Sequence, residues 1–248
     1  MSAHIEVRNL TAAYGERIIQ QELNFTVQRG DIFIIMGSSG CGKSTVLRHL
    51  IGLQQPLTGE VLINNVNFTQ ATDEEQEQIK RNFGVLFQSG ALFSSMTLAE
   101  NIALPLSEYT QLGGSEIDDI AAYKLALVGL AGCEQLYPAE ISGGMRKRAG
   151  LARAMALDPE ILFFDEPSAG LDPLSSLRLD ELILELRTTL GTTIVVVTHE
   201  LASIFAIGNN GIFLDAESRS MIASGDPKQL REHCSDPRVR TFLNRGEH

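Results

Sequence analysis

The chain has 248 residues, a net charge of −11 from 20 Lys and Arg against 31 Asp and Glu, and 44% hydrophobic residues. That length suits one domain, or one domain with a subdomain. The acidic balance works against broad phosphate-backbone binding, so nucleic acid is not expected as a primary partner.

The continuous apolar runs, such as Ile32–Met36, are far shorter than the roughly 20 residues that span a bilayer. The opening Met1-Ser2-Ala3-His4-Ile5-Glu6-Val7 lacks a basic stretch followed by an apolar core, so no secretory leader is expected and the chain is expected to stay in the cytosol. Cys41, Cys133 and Cys234 are odd in number and scattered, which reads as three reduced thiols.

In chain order, Leu23, Phe25 and Val27 alternate with polar residues, the period of a half-buried strand in an antiparallel sheet. Ile32–Met36 is apolar without alternation, as are residues 161–164 and 194–197, and this suits strands buried on both faces of a parallel sheet. Residues 45–53 read as a helix and 83–87 as a strand. Residues 89–158 carry helical patterns and no comparable buried strand. The spacing therefore predicts a helical subdomain at 89–158 inserted into a core made of 1–88 and 159–248. Asp172-Pro173 is an N-cap and first-turn pair for a helix with Leu179, Leu182, Ile183, Leu186 and Leu190 on one face, stopped by Gly191. From Gly211 the pattern is a hairpin, residues 212–214 and 221–223, then short helices. The fold class is α/β.

Three motifs carry chemistry. Gly37-Ser38-Ser39-Gly40-Cys41-Gly42-Lys43-Ser44 fits GxxxxGK[ST] directly after an apolar strand and before a helix. Its glycines let backbone amides wrap a phosphate, Lys43 reaches the terminal phosphates, and Ser44 holds Mg2+. These residues, with Thr45 after them, form the candidate nucleotide-binding set. Cys41 reads either as a small residue tolerated in a tight loop or as a redox switch. Residues 161–164 run into Asp165 and Glu166 at a strand C-terminus, where open parallel sheets line a ligand crevice. Asp165 is placed on Mg2+ and Glu166 on the attacking water. Ser142-Gly143-Gly144 caps a following helix and exposes amides, a second anion site.

The order of motifs is the P-loop, Gln88, Ser142-Gly143-Gly144, Asp165-Glu166, Ser168-Ala169-Gly170-Leu171-Asp172, then His199 after a buried strand. In that order the chain resembles the nucleotide-binding subunit of an ABC transporter from Ile5 to about Gly225. The resemblance implies a P-loop NTPase fold with a RecA-like parallel-sheet core, an N-terminal antiparallel β subdomain and the inserted helical subdomain. It also implies ATP and Mg2+ as ligands, Tyr14 stacked on adenine, Gln88 on Mg2+ and the membrane partner, and His199 on the γ-phosphate. It further implies a homodimer in which Ser142, Gly143 and Gly144 of one subunit close over ATP held by the other's P-loop. Asp172 reads either as a helix cap alone or as a dimer-interface residue too. The signature reads ISGGM where LSGGQ is common, so Met145 stands for a glutamine; the phosphate-facing groups are unaffected.

Gly84-Val85-Leu86-Phe87-Gln88-Ser89-Gly90-Ala91-Leu92-Phe93, the run from Ser142 to Pro167 and the tail at 236–243 are similar to ATPases of Mce-type lipid transporters, including the Mla phospholipid pathway. That resemblance implies an inner-membrane permease, an Mce-domain lipid-binding protein and a peripheral position on the cytoplasmic face. Residues 91–93 read either as a permease-docking groove or as subdomain core. Two other functions remain consistent with the motifs: the ATPase of a solute transporter, or a soluble ABC protein acting on ribosomes or DNA. The last lacks support from a second cassette, a coiled-coil insertion or a basic charge.

Overall fold

A computed structural model describes residues 3–244; Met1 and Ser2, part of the opening read above as lacking a leader, lie outside it. The elements in chain order are β1 (Ala3–Tyr14), β2 (Arg17–Gln28), β3 (Ile32–Met36), α1 (Lys43–Leu50), β4 (Thr58–Ile63), β5 (Val66–Asn67), α2 (Asp73–Lys80), β6 (Phe83–Leu86), α3 (Leu98–Tyr109) and α4 (Gly114–Leu127). A 3-10 turn (Pro138–Glu140) leads into α5 (Gly143–Ala154), β7 (Ile161–Asp165), α6 (Pro173–Leu190), β8 (Thr193–Val197), α7 (Leu201–Ile207), β9 (Asn210–Asp215), β10 (Ser220–Ser224), α8 (Pro227–His233) and α9 (Pro237–Leu243).

These strands make two sheets. One is antiparallel, in the order β2-β1-β4-β5; the other runs β10-β9-β3-β8-β7-β6, parallel except for the β9–β10 hairpin. The continuous apolar runs are explained by what each face meets. In β3, Phe33 and Ile35 join a core shared with the antiparallel sheet and α1, while Ile32, Ile34 and Met36 join a second core built with α3 to α7. Residues of β7 and β8 divide in the same alternation. A strand with apolar layers on both faces has no solvent side on which to place polar residues. Leu23, Phe25 and Val27 of β2 are buried on one face only, as their alternation predicts.

Several boundaries differ from the sequence reading. α1 starts two residues early, inside the P-loop, and ends at Leu50, because the loop turns straight into the helix and Gly52 at φ +69° ends the turn that follows. β6 stops at Leu86, one residue short. On α6 the cap is as read: the Asp172 carboxylate accepts from the Leu174 and Ser175 amides, and Gly191 closes the helix in a left-handed conformation. Leu190, placed on the buried face, is instead 57% exposed, as the last residue of α6 before the Gly191 cap. Close approach fixes one glycine. A Cβ at Gly84 would lie 2.1 Å from the Ala154 carbonyl oxygen, so only glycine lets α5 settle onto β6.

Asp180 lies on the buried face of α6, accepts a hydrogen bond from Ser203 Oγ at 2.9 Å, and is pushed up to about 6 chiefly by burial. The folded value lies above the unfolded one, so the native state holds the extra proton between them. Stability is therefore lost as pH rises from about 4 through 6. Asp180→Asn keeps an acceptor for Ser203 and has no charge to bury. It is expected to gain about 1–2 kcal/mol over the parent at pH 7.5, allowing for partial solvent screening, and to lose that advantage towards pH 4. Urea midpoints at the two pH values read this out; an advantage independent of pH would refute it.

Candidate functional site: a phosphate cradle at the C-terminal edge of the sheet

The C-terminal ends of β3, β7 and β8 are neighbours, and each delivers part of one constellation. From β3 the chain enters the P-loop, where Ser38, Ser39 and Gly40 are exposed and Gly37, Cys41 and Lys43 are buried. A Cβ at Gly37, at φ +149°, would meet the Leu214 carbonyl oxygen at 2.3 Å, so β9 and the loop are packed backbone to backbone. Lys43 Nζ donates to the Gly37 and Ser38 carbonyls at 3.0 and 3.1 Å, which folds the ammonium back across the loop it would share with phosphate oxygens. Gly42 and Ser44 are half-buried at the start of α1, and Thr45 follows them. The free amides of this helix end and its dipole favour an anion.

Ser44 Oγ donates to Asp165 Oδ1 at 2.7 Å. Burial pushes the Asp165 carboxyl up, with the Glu166 charge adding to it and the Ser44 bond opposing it. A hydroxyl beside a carboxylate is a hard-oxygen set suited to Mg2+, completed by water and phosphate. Among the described residues no group of three or more His, Cys, Asp or Glu forms a closed metal cage. An Mg2+ site that relies on phosphate oxygens does not need one.

Glu166 follows β7 with a left-handed backbone, φ +48°, strained by about 1–3 kcal/mol for a residue with a Cβ. Its amide donates to the Val197 carbonyl at 2.8 Å. Oε1 lies 2.8 Å from His199 Nδ1 and 4.0 Å from Lys43 Nζ, while Oε2 is buried without a partner. Ser168 Oγ beside it is also buried and unpaired. Unsatisfied buried oxygens are costly, and their concentration here marks a place where polar groups are held for something else to meet. His199 is exposed just past the end of β8.

Gln88, exposed beyond the end of β6, sits at the same sheet edge, since β6 pairs with β7 in parallel. Tyr14 is 65% exposed at the β1–β2 turn, its ring free on the surface. Lower in that hairpin, Gln20 is buried and donates to the Cys41 carbonyl at 2.7 Å and to the Asp215 carbonyl at 3.0 Å, fastening the P-loop to β9. The sequence reading missed Gln20, because a glutamine in a strand gives no sign of being buried. Cys41 is 1% exposed, and burial pushes its thiol up, away from the reactive thiolate. Of the two readings offered above, the small buried residue is the one its surroundings favour.

The turn at Ser142 stands apart from the P-loop. Ser142 caps α5, its Oγ accepting from the Met145 amide at 3.2 Å, and Ser142 and Gly143 are exposed. Among the described residues, no hydrogen bond or ion pair joins this turn to the P-loop. Met145 is half-buried and packs on the core. Also missed was Lys147 on the same helix, which reads as an ordinary surface lysine yet is buried against Glu166.

Residues 91–93 divide between the two readings offered for them. Leu92 packs on the core, whereas Phe93 is 50% exposed and lines, with Ala91, Leu104, Tyr109 and Arg153, a cleft of about 430 Å³. The Arg153 guanidinium lies 5.9 Å from the Phe93 ring centre. A cavity of about 470 Å³ around His4, Arg29 and Glu160 lies at the opposite edge of the sheet, and its polar groups bond one another. No helix of the described residues is long and apolar enough to cross a membrane.

Comparison with known proteins agrees with this geometry. The profile of the family described as ABC transporter matches residues 20–169. The chain is 40% identical over 240 residues to the intermembrane phospholipid transport system ATP-binding protein MlaF of Escherichia coli, covering 97% of this chain and 88% of the relative. It is 43% identical over 244 residues to the probable ribonucleotide transport ATP-binding protein mkl of Mycobacterium tuberculosis, covering 98% of this chain and 67% of the relative. Among solved structures, the dimeric bacterial ABC transporter cassette MJ0796 superposes with a TM-score of 0.82 at 31% identity, covering 90% of this chain and 98% of that one. The same cassette has also been solved as a dimer in a post-hydrolysis state bound to ADP and Pi. With the profile matched over residues 20–169 and relatives 40% or more identical along nearly the whole chain, this chain belongs to the ABC transporter family.

Proposed function

We propose that this chain is the ATP-binding and ATP-hydrolysing subunit of an inner-membrane ABC transporter that moves phospholipid or a related lipid between the inner and outer membranes. The observation that carries the ATPase half is the meeting of two groups at one sheet edge: Ser44 Oγ on Asp165 at 2.7 Å, and Glu166 Oε1 between His199 Nδ1 at 2.8 Å and Lys43 Nζ at 4.0 Å. Lys43 and the amides of residues 37–45 bind the phosphates, and Tyr14 stacks on the base. Ser44 and Asp165, with Gln88, would hold Mg2+, which would supply charge neutralisation at the phosphates. Glu166 takes the proton of the attacking water, and His199, on its Oε1, orients it and reaches the γ-phosphate.

One chain leaves Ser142 and Gly143 exposed, and a homodimer gives this turn a ligand: each turn closes over the nucleotide on the other chain's P-loop. ATP then favours the closed pair by its differential affinity for that state, and hydrolysis releases it. Residues 89–158 serve as the helical subdomain that carries this turn and meets the permease. The cleft at Phe93 takes an apolar cytoplasmic helix of that permease, and an Mce-domain protein receives the lipid. The chain works from the cytoplasmic face as a peripheral subunit.

The lipid half is supported by the 40% identity to MlaF over nearly the whole of both chains. The name of the 43% identical mycobacterial relatives favours a second reading, transport of a nucleotide solute. Affinity capture from detergent-solubilised native membranes separates them. A polytopic permease with an Mce-domain protein and phospholipid is expected, and Phe93→Asp should lose the permease while keeping ATP binding. A permease with a soluble solute-binding protein would move the function to the second reading.

A further inference from the structure

Lys147 sits one turn into α5, and its side chain runs into the protein. It is 5% exposed, and Nζ donates to the Glu166 backbone carbonyl at 3.1 Å. Burial pulls this ammonium below the ordinary lysine range, and Asp165, Glu166 and Glu200 nearby pull it back. A helix face that served packing alone would place an apolar side chain there, as Ala149 and Ala152 do on the same helix. The carbonyl it holds belongs to the one strained residue of the constellation, since Glu166 is left-handed at φ +48°. The Ala169 amide donates to the same oxygen at 3.2 Å, so that oxygen is fixed from two directions.

We propose that Lys147 is a positioning residue for hydrolysis: by holding the Glu166 carbonyl it fixes the backbone from which the Glu166 carboxylate is aimed, and it ties that aim to α5. The inference rests on Glu166 as the base and on Ser142–Gly144 as the contact to the second chain's nucleotide, both proposed above. It adds a route between the two nucleotides. The N-terminus of α5 meets one of them, and Lys147, a turn further along the same rigid helix, grips the base that acts on the other. Further along, Gly150 lies against Gly90, where a Cβ would come within 2.9 Å of the Gly90 carbonyl oxygen, and Arg153 Nη1 donates to the Ala91 carbonyl at 2.7 Å. A shift of α5 is therefore felt together at Glu166 and in the loop after Gln88.

The test uses the full chain with Lys147→Met, which keeps an unbranched side chain and loses the donor, and Lys147→Arg, which keeps a cationic donor. Lys147→Met is expected to lower kcat for ATP by about 10- to 100-fold with KM within about 3-fold, the signature of a displaced catalytic group rather than lost binding. Lys147→Arg should recover most of the loss. The double variant Lys147→Met, Glu166→Gln should dimerise with MgATP as well as Glu166→Gln alone, showing an intact nucleotide site. Wild-type kcat in Lys147→Met beside an inactive Glu166→Gln would overturn the role of Lys147 and leave the base in place. Normal turnover in Glu166→Gln would overturn the base assignment itself. Turnover lost together with MgATP-driven dimerisation or thermal stability would make Lys147 a packing residue, and that too overturns the proposal.

Discussion

Glu166→Gln is expected to cut phosphate release from ATP by about 10²- to 10⁴-fold, the usual contribution of a positioned base, while binding MgATP at least as tightly as the parent. The amide keeps the size of the carboxylate and keeps an oxygen for His199 Nδ1, now 2.8 Å away. What it loses is the negative charge that makes the carboxylate basic enough to take the water proton. It also removes a negative charge beside Asp165, whose carboxyl Glu166 helps push up, so a polyanion enters against less repulsion. The nucleotide then persists, and size-exclusion chromatography with light scattering should find a stable MgATP-dependent dimer. Turnover within about 3-fold of the parent would remove Glu166 from the base role.

Lys43→Met should fail earlier, at binding. The ammonium is buried and, among the described residues, donates to the Gly37 and Ser38 carbonyls, with Glu166 Oε1 at 4.0 Å. Charge-assisted hydrogen bonds to phosphate contribute about 2–3 kcal/mol, so the Kd for ATP should rise about 30- to 150-fold. Methionine fills the same channel, and the parts of the P-loop it leaves untouched remain fastened by Gln20 on Cys41. Thermal stability without nucleotide should change little. Unaltered ATP affinity by titration calorimetry would show that phosphate does not reach Lys43.

Much of this was legible because the relevant signals are local. The three buried strands announce themselves as short apolar runs, and each run is apolar because its two faces feed two different cores. The P-loop and the Asp165-Glu166 pair follow from residue types at fixed offsets from those strands. Asp172-Pro173 and Gly191 mark α6 at both ends by backbone chemistry alone. What stayed hidden depends on distant partners. β1 carries irregular register against both neighbours, with Asn9 at φ +47°, so its periodicity is broken where a strand signal was needed. Thr72 and Glu75 form a reciprocal cap for α2, a local signal that stands in the sequence as Thr-x-x-Glu. Gln20 and Lys147 look like surface residues in the sequence, and only the packing of β9 and β7 against them makes each a clamp. Leu190 fails in the other direction: it keeps the helical spacing of the buried face and yet is exposed in the final turn of α6.

In the proposed pair, each ATP site is completed by a second copy of the chain. The most direct test is ATP hydrolysis per chain, measured at saturating MgATP over a wide range of chain concentrations, with light scattering reporting the monomer fraction without nucleotide. Specific activity is expected to rise with concentration and to level off once the pair is populated, because no hydrogen bond or ion pair among the described residues joins the Ser142–Gly144 turn to the P-loop within one chain. Specific activity that stays flat through the range where the chain is monomeric would contradict it, and would place a complete hydrolytic site in a single copy.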